Sequence, residues 1–211
     1  MPKRIPHVYS EAITGVKETT NYLAMQKKLG RFYLKGFIKR LIGFNKKGLF
    51  LEIGPGPAYQ TSEIAKQAEG IKIKALEYSE DMISIAKKYC KTQNLQTKIE
   101  FVHGSVEDEK LVSGLGKFDL IYSTFSLHHW LDPEKAISNL YSALKDDGLI
   151  YLYDFKRGGL FYYISIKKGI WESIRASYTP DEIKSILDRL NIKNYKISTD
   201  FLYMQVIINK N

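Results

Sequence analysis

Three groups of residues in this chain have the types and spacing to do chemistry. The first is the run Glu52, Ile53, Gly54, Pro55, Gly56, Pro57, Ala58, an acid followed by two alternating glycines and a small residue. Glycine lets the backbone turn sharply and lets a ligand come close where a Cβ would collide. The second is Glu77, 25 residues beyond Glu52. A carboxylate has lone pairs enough to accept hydrogen bonds from both hydroxyls of a ribose. The third is the pair His128 and His129. Imidazole titrates near neutral pH and can take a proton from a reacting group. These groups imply a nucleotide-like ligand with a proton acceptor nearby.

The elements that position these residues can be read around them. Leu49, Phe50, Leu51 and Ile53 form a short apolar run that suits a strand buried on both faces of a parallel sheet. A helix is predicted over 61–67, with Thr61 or Ser62 as its N-cap. Strand, glycine loop and helix start together form a ligand site beside a strand's carboxyl end. The dinucleotide fingerprint G-x-G-x-x-G is not met, because its sixth place holds Tyr59, too large for close helix–strand packing. No Walker run follows either. Residues 71–78 read as a second strand ending in Glu77, and Ser79 caps a helix running to about residue 89, with Asp81 in its first turn. Further strands are predicted over 98–104, 117–124 and 149–155, with a helix opening at Pro133. Thr179, Pro180, Asp181 and Glu182 open another helix, and strands over 195–198 and 201–208 close the chain.

The run from Glu52 to Ala58, with Glu77 after it and Phe118-Asp119 followed by Leu127-His128-His129, resembles the class I S-adenosylmethionine-dependent methyltransferases, in the branch that modifies quinones and other small molecules. Ala58 stands where that family usually has a third glycine. The resemblance implies a Rossmann-like α/β fold: a seven-stranded, mostly parallel sheet, helices on both faces, the last strand antiparallel. It assigns residues 48–211 to that domain and 1–47 to an N-terminal helical cap. The implied cofactor is S-adenosylmethionine, with S-adenosylhomocysteine as product. Cofactor contacts are implied for Glu52, Gly54, Pro55, Gly56, Glu77, Tyr78, Met82, Gly104, Ser105, Val106 and Ser123. Ser105 stands where the family often has an aspartate at the adenine edge. His128 or His129 is the candidate base, with Tyr9, Tyr22 and Asp154 as weaker alternatives.

Residues 21–44 have amphipathic helical character, with Gly30 and Gly36 as points of interruption. Three uses compete for this segment: a cap over the site, a membrane-surface helix, or closure of the sheet edge. From a cap, Tyr9, Tyr22 and Arg31 reach the acceptor. Residues 156–179 are aromatic and basic; Phe161, Tyr162, Tyr163 and Trp171 either line the acceptor pocket or form the core of a peripheral helix.

The chain has 211 residues and 44% hydrophobic content, enough for one α/β domain. Its single cysteine, Cys90, excludes a disulfide framework and a cysteine-rich zinc site, and fits a reducing cytoplasm. No third ligand joins the adjacent histidines, so no metal is expected. The basic N-terminus lacks the apolar core of a signal peptide, and no apolar run is long enough to span a bilayer. The net charge of +9 suits nucleic acid or anionic lipid, although scattered surface lysines explain it as well. The fourth strand leads into Ser123-Thr124-Phe125-Ser126, not the Asn/Asp-Pro-Pro-Tyr/Phe run that marks methylation of base amines. The expected acceptor is therefore a small molecule. RNA and a cofactor-binding protein without turnover are the alternatives, and peripheral membrane contact stays open.

Overall fold

The structure is a computed structural model that describes residues 2–6, 15–44, 47–164 and 168–210. A long helix, α1 (Val16–Phe44), precedes an alternation of strands and helices: β1 (Lys47–Ile53), α2 (Tyr59–Gln67), β2 (Gly70–Glu77), α3 (Glu80–Thr92) and β3 (Ile99–His103). Then come α4 (Glu109–Gly114), β4 (Phe118–Thr124), α5 (Pro133–Ser142), β5 (Leu144–Phe155), α6 (Lys168–Ala176), α7 (Pro180–Arg189), β6 (Tyr195–Thr199) and β7 (Tyr203–Asn209). The strands form one sheet in the order β3-β2-β1-β4-β5-β7-β6. β1 to β5 are parallel, and β7 runs antiparallel between β5 and β6. The strand order reverses between β1 and β4, which opens a crevice at their carboxyl ends.

Side chains alternate across the sheet and build two cores. Phe50, Ile71, Ile73, Leu120, Tyr122 and Tyr151 belong to the core shared with α1, α2 and α3. Leu51, Ile53, Leu76, Ile121, Ile150 and Leu152 belong to the core shared with α5 and α7. α1 runs unbroken through Gly30 and Gly36, contrary to the predicted interruption. Each helical glycine costs about 1 kcal/mol against alanine. Burial of Leu23, Leu34, Phe37, Ile38 and Leu41 outweighs that cost, at roughly 1.5–3 kcal/mol per side chain. Phe37 stacks on Tyr151 with ring centroids 5.0 Å apart, fixing α1 to the sheet.

α2 begins two residues earlier than its sequence suggests. Its N-cap is Ala58, with no side-chain cap; Ser62 lies inside the helix and donates back to the Ala58 carbonyl at 2.8 Å. Tyr59 is accommodated by α1: a Cβ on Gly30 would lie 2.7 Å from its Cε1. The ring thus fills the space that a glycine on the neighbouring helix leaves open. β5 begins at Leu144, five residues early, because its pairing with β4 shifts register between Phe118 and Leu120. The short α4, capped by Asp108 accepting from Leu111 N at 3.0 Å, was not foreseen. The capping box of α7, with Thr179 and Glu182, forms as predicted.

Gly30→Ala is expected to destabilise the protein in urea unfolding, in spite of alanine's better helix propensity, because the buried Tyr59 ring must move. Gly36→Ala, with open space around its Cβ, is expected to stabilise by up to about 1 kcal/mol.

Candidate functional site

The glycine loop joins the carboxyl ends of β1 and β2. Gly54 adopts φ +69° and donates its N–H to the Leu76 carbonyl at 2.9 Å. A Cβ there would lie 2.4 Å from Ser126 Oγ, so no other residue fits. Gly56 adopts φ +55° and donates to Glu77 Oε2 at 2.9 Å. Ala58 follows at φ +62°. A left-handed conformation costs a residue with a Cβ roughly 1–2 kcal/mol, so the place of the family's third glycine carries local strain here.

Glu77 sits at the end of β2, almost fully buried. Its second oxygen, Oε1, accepts from Ser79 N at 2.9 Å. Each oxygen therefore holds a backbone donor, the Tyr78 amide also bears on the carboxylate, and lone-pair capacity remains. Burial pushes the Glu77 carboxyl up, with the amides of Ser79, Gly56 and Tyr78 pulling the other way. Along the same edge, Gly104 N donates to the Glu77 carbonyl at 3.0 Å. Met82 is buried in the first turn of α3, where its N–H donates to Ser79 Oγ at 3.3 Å. Tyr78 turns outward and is 57% exposed. Ser105 Oγ accepts from Glu107 N at 3.1 Å, and buried Val106 takes Asn139 Nδ2 on its carbonyl at 3.0 Å. From α1, the Tyr22 ring covers the loop: its Cε1 is 3.8 Å from where a Gly56 Cβ would stand. Burial raises the Tyr22 phenol, a hydrogen bond with Gln26 opposes this, and the Glu77 charge adds to the rise.

Two of the loop-side candidates are engaged beneath the site. Glu52 is buried under the loop and accepts from Tyr122 Oη at 2.9 Å. Burial lifts its carboxyl from 4.5 to about 7, against the pull of the Thr61 and Tyr122 hydroxyls. Ser123 is buried and donates to the Ile53 carbonyl at 3.1 Å, across the β1–β4 pair.

Over β4 and β5 stands a second cluster. His128 lies in a one-turn 3-10 helix, Leu127–His129, with its ring buried. Its Nδ1 is 2.7 Å from Asp154 Oδ1, and its backbone N–H donates to Asp154 Oδ2 at 2.9 Å. A carboxylate only accepts, so Nδ1 carries the proton and, in the neutral ring, Nε2 is the basic nitrogen. His129 is exposed and its ring lies against His128 at 4.1 Å. Phe125, at φ +51°, closes an aromatic wall with Tyr153, Phe155 and Tyr203. A bulky residue held left-handed is strained, as backbone at functional sites often is.

Sequence reasoning missed how the N-terminus is used. Arg4 donates to the His128 carbonyl at 3.1 Å and the Ala176 carbonyl at 2.6 Å, with its guanidinium 4.1 Å from the Tyr178 ring centre. Arg157 is buried, pairs with Glu182 and donates to the Pro2 carbonyl at 3.0 Å. Nothing in the spacing of Arg4 announces these contacts, which span 124 residues and more. Tyr162 and Trp171 meet each other: Trp171 Nε1 donates to the Tyr162 carbonyl at 3.0 Å, and Tyr162 Oη donates to the Lys3 carbonyl at 2.8 Å. They bind the segment after β5 to residues 2–5. Tyr9 lies outside the described residues.

The fold and this edge define an α/β domain built for a nucleoside-containing ligand. The family model described as "Methyltransferase domain" matches residues 51–152. An uncharacterized methyltransferase of Bacillus subtilis is 26% identical over 107 residues, which cover 51% of this chain and 56% of that protein. The chain thus spans about half the length of that curated relative. A ubiquinone/menaquinone biosynthesis C-methyltransferase of Geotalea uraniireducens is 21% identical over 182 residues, covering 76% of this chain and 77% of the other. Among solved structures, a protein of Methanococcus maripaludis described as a candidate S-adenosyl-L-methionine-dependent methyltransferase superposes with a TM-score of 0.73. The two are 26% identical, covering 92% of this chain and 93% of that one. The matched domain, these relatives and the shared fold support a class I S-adenosylmethionine-dependent methyltransferase. The residues present fit that cofactor: a buried carboxylate with spare acceptor capacity ends β2, beside a loop whose glycines leave room for backbone approach.

Because the folded state holds the Glu52 proton to higher pH than the unfolded chain does, this group's stability contribution is full below pH 4.5 and declines as pH rises toward 7. Glu52→Gln is expected to remove that decline and to unfold later than wild type at pH 8. The gain is about 3.5 kcal/mol at most, since one pKa unit is worth about 1.4 kcal/mol. Urea titrations of both proteins between pH 4 and 8 check it; parallel curves contradict it.

Proposed function

We propose that this protein transfers a methyl group from S-adenosylmethionine to a small-molecule acceptor that carries a removable proton. The observation that carries the reading is the Glu77 carboxylate, buried at the end of β2 and held by the amides of Gly56 and Ser79. Bound there, the cofactor supplies a methyl group on a positively charged sulfur, open to direct displacement. Glu77 accepts the ribose hydroxyls. Gly54, Pro55 and Gly56 present backbone to the amino-acid part, and Tyr78, Met82, Gly104, Ser105 and Val106 flank the base. α1 serves as a cap, with Tyr22 closing the loop from above.

For the acceptor, His128 takes the proton through Nε2, and Asp154 keeps the ring in that tautomer. This pairing is the specific support for a base, and it favours an acceptor O–H or N–H over one that needs no deprotonation. The aromatic wall of Phe125, Tyr153, Phe155 and Tyr203 supports a flat or apolar acceptor and keeps water out. Orientation alone is worth ~7 kcal/mol or more in favourable cases, so losing the base slows turnover without abolishing it. The Geotalea relative is named for quinone methylation, and a phenolic acceptor is consistent with this wall.

The test is methyl transfer from labelled S-adenosylmethionine to a panel of phenols, carboxylic acids and amines, followed as S-adenosylhomocysteine release. His128→Gln is expected to lower kcat by about 10²–10⁴-fold with little change in KM for the cofactor. Asp154→Asn is expected to lower kcat too, again with little change in KM for the cofactor. Tight cofactor binding without transfer to any member of the panel contradicts turnover.

A further inference from the structure

Among the described residues, nine large apolar side chains are exposed, and six of them gather at one corner of the molecule: Ile5, Leu160, Tyr163, Ile164, Ile170 and Phe201. They come from three separate parts of the chain, which the structure ties together. Phe161 meets Phe201 edge-on, with ring centroids 5.2 Å apart, joining the segment after β5 to the β6–β7 turn. Trp171 Nε1 bonds the Tyr162 carbonyl, joining α6 to the same segment. Ile5 N donates to the Arg175 carbonyl at 3.0 Å, adding the N-terminal residues. The tips project: Phe201 is 81% exposed, Tyr163 71% and Leu160 66%. An apolar concentration of this kind on one corner marks an interaction surface.

Charge decides among the occupants. Lys3 and Lys156 lie beside these tips, since Tyr162 Oη donates to the Lys3 carbonyl and Lys156 Nζ donates to the Asp200 carbonyl at 2.7 Å, and the whole chain carries +9. Two copies of so cationic a chain repel each other, which disfavours self-association through this corner. Four of the six side chains are aliphatic and have no π-face on which a nucleic-acid base stacks. Projecting apolar tips with lysines at their side, on a chain of net charge +9, match an anionic lipid surface, where the tips enter the headgroup boundary and the cations meet the lipid charge. No helix among the described residues is long and apolar enough to cross a membrane, so the contact is peripheral. We infer that this corner docks the protein on anionic membranes. The inference stands on the patch and the charge, not on the methyl-transfer reading.

Co-sedimentation of the full chain with vesicles tests it. Binding is expected with vesicles containing phosphatidylglycerol and not with phosphatidylcholine alone. Phe201→Glu and Leu160→Glu are each expected to weaken it by about tenfold or more at unchanged melting temperature, because each removes one inserted side chain and adds a repelled charge. Phe201→Leu is expected to bind as wild type does. Phe201→Ser, which adds no charge, replaces the Glu variant if that one fails to fold. No binding to either vesicle overturns the inference. So does binding that all variants retain, since charge alone then suffices. RNA binding without vesicle binding overturns it, as does a dimer in analytical ultracentrifugation that Phe201→Glu dissociates.

Discussion

The structure depends on one interaction: the carboxylate of Glu77 accepting backbone N–H groups from both sides, Gly56 from the β1 loop and Ser79 from the start of α3. It joins the ends of the neighbouring strands β1 and β2 and fixes the shape of the loop between β1 and α2. Burying a carboxylate is costly unless it is hydrogen-bonded, and these amides offset much of that cost. Acceptor capacity remains on this strand end, one strand away from the point where the strand order reverses. Position, charge and unused lone pairs therefore coincide at the place where this fold presents its ligand.

Around that point the chain applies strain sparingly. Ala58 and Phe125 both hold left-handed conformations, one at the start of α2 and the other just past β4. Each reverses the chain at the carboxyl edge of the sheet, where a ligand must be met by backbone or by a specific ring. The cores below are ordinary in comparison, with Phe50, Leu51, Ile121 and Leu120 fully buried in the central strands. A rigid floor lets a few strained residues hold their positions.

The strands and the loop were legible because their signals are local. Short apolar runs ended in an acid or glycine, and caps such as Ser79 and Thr179 stood where helices open. Errors fell where distant parts of the chain decide. The sequence marked Gly30 as a helix breaker, yet Tyr59 makes it the residue that lets α1 and α2 pack closely. Tyr59 itself read as an obstacle until α1 provided its niche. The early start of β5 depends on a register shift against β4 that no single segment encodes. At the site, the glycines, Glu77 and His128 stood out by type and spacing. Asp154 was visible as a strand-end acid and a weaker candidate base, but not as the partner of His128; that bond arises because β4 and β5 are neighbours. Arg4 had no signal at all, since its partners lie far away in sequence.

The most direct measurement is calorimetric titration of S-adenosylhomocysteine into the wild-type chain and into Glu77→Gln. Hydrogen bonds to a charged group are worth about 1.5–3 kcal/mol. The account predicts one binding event in the wild type, weakened by at least about tenfold in a variant that still folds. Absence of binding to the wild type, or equal affinity in the variant, contradicts it.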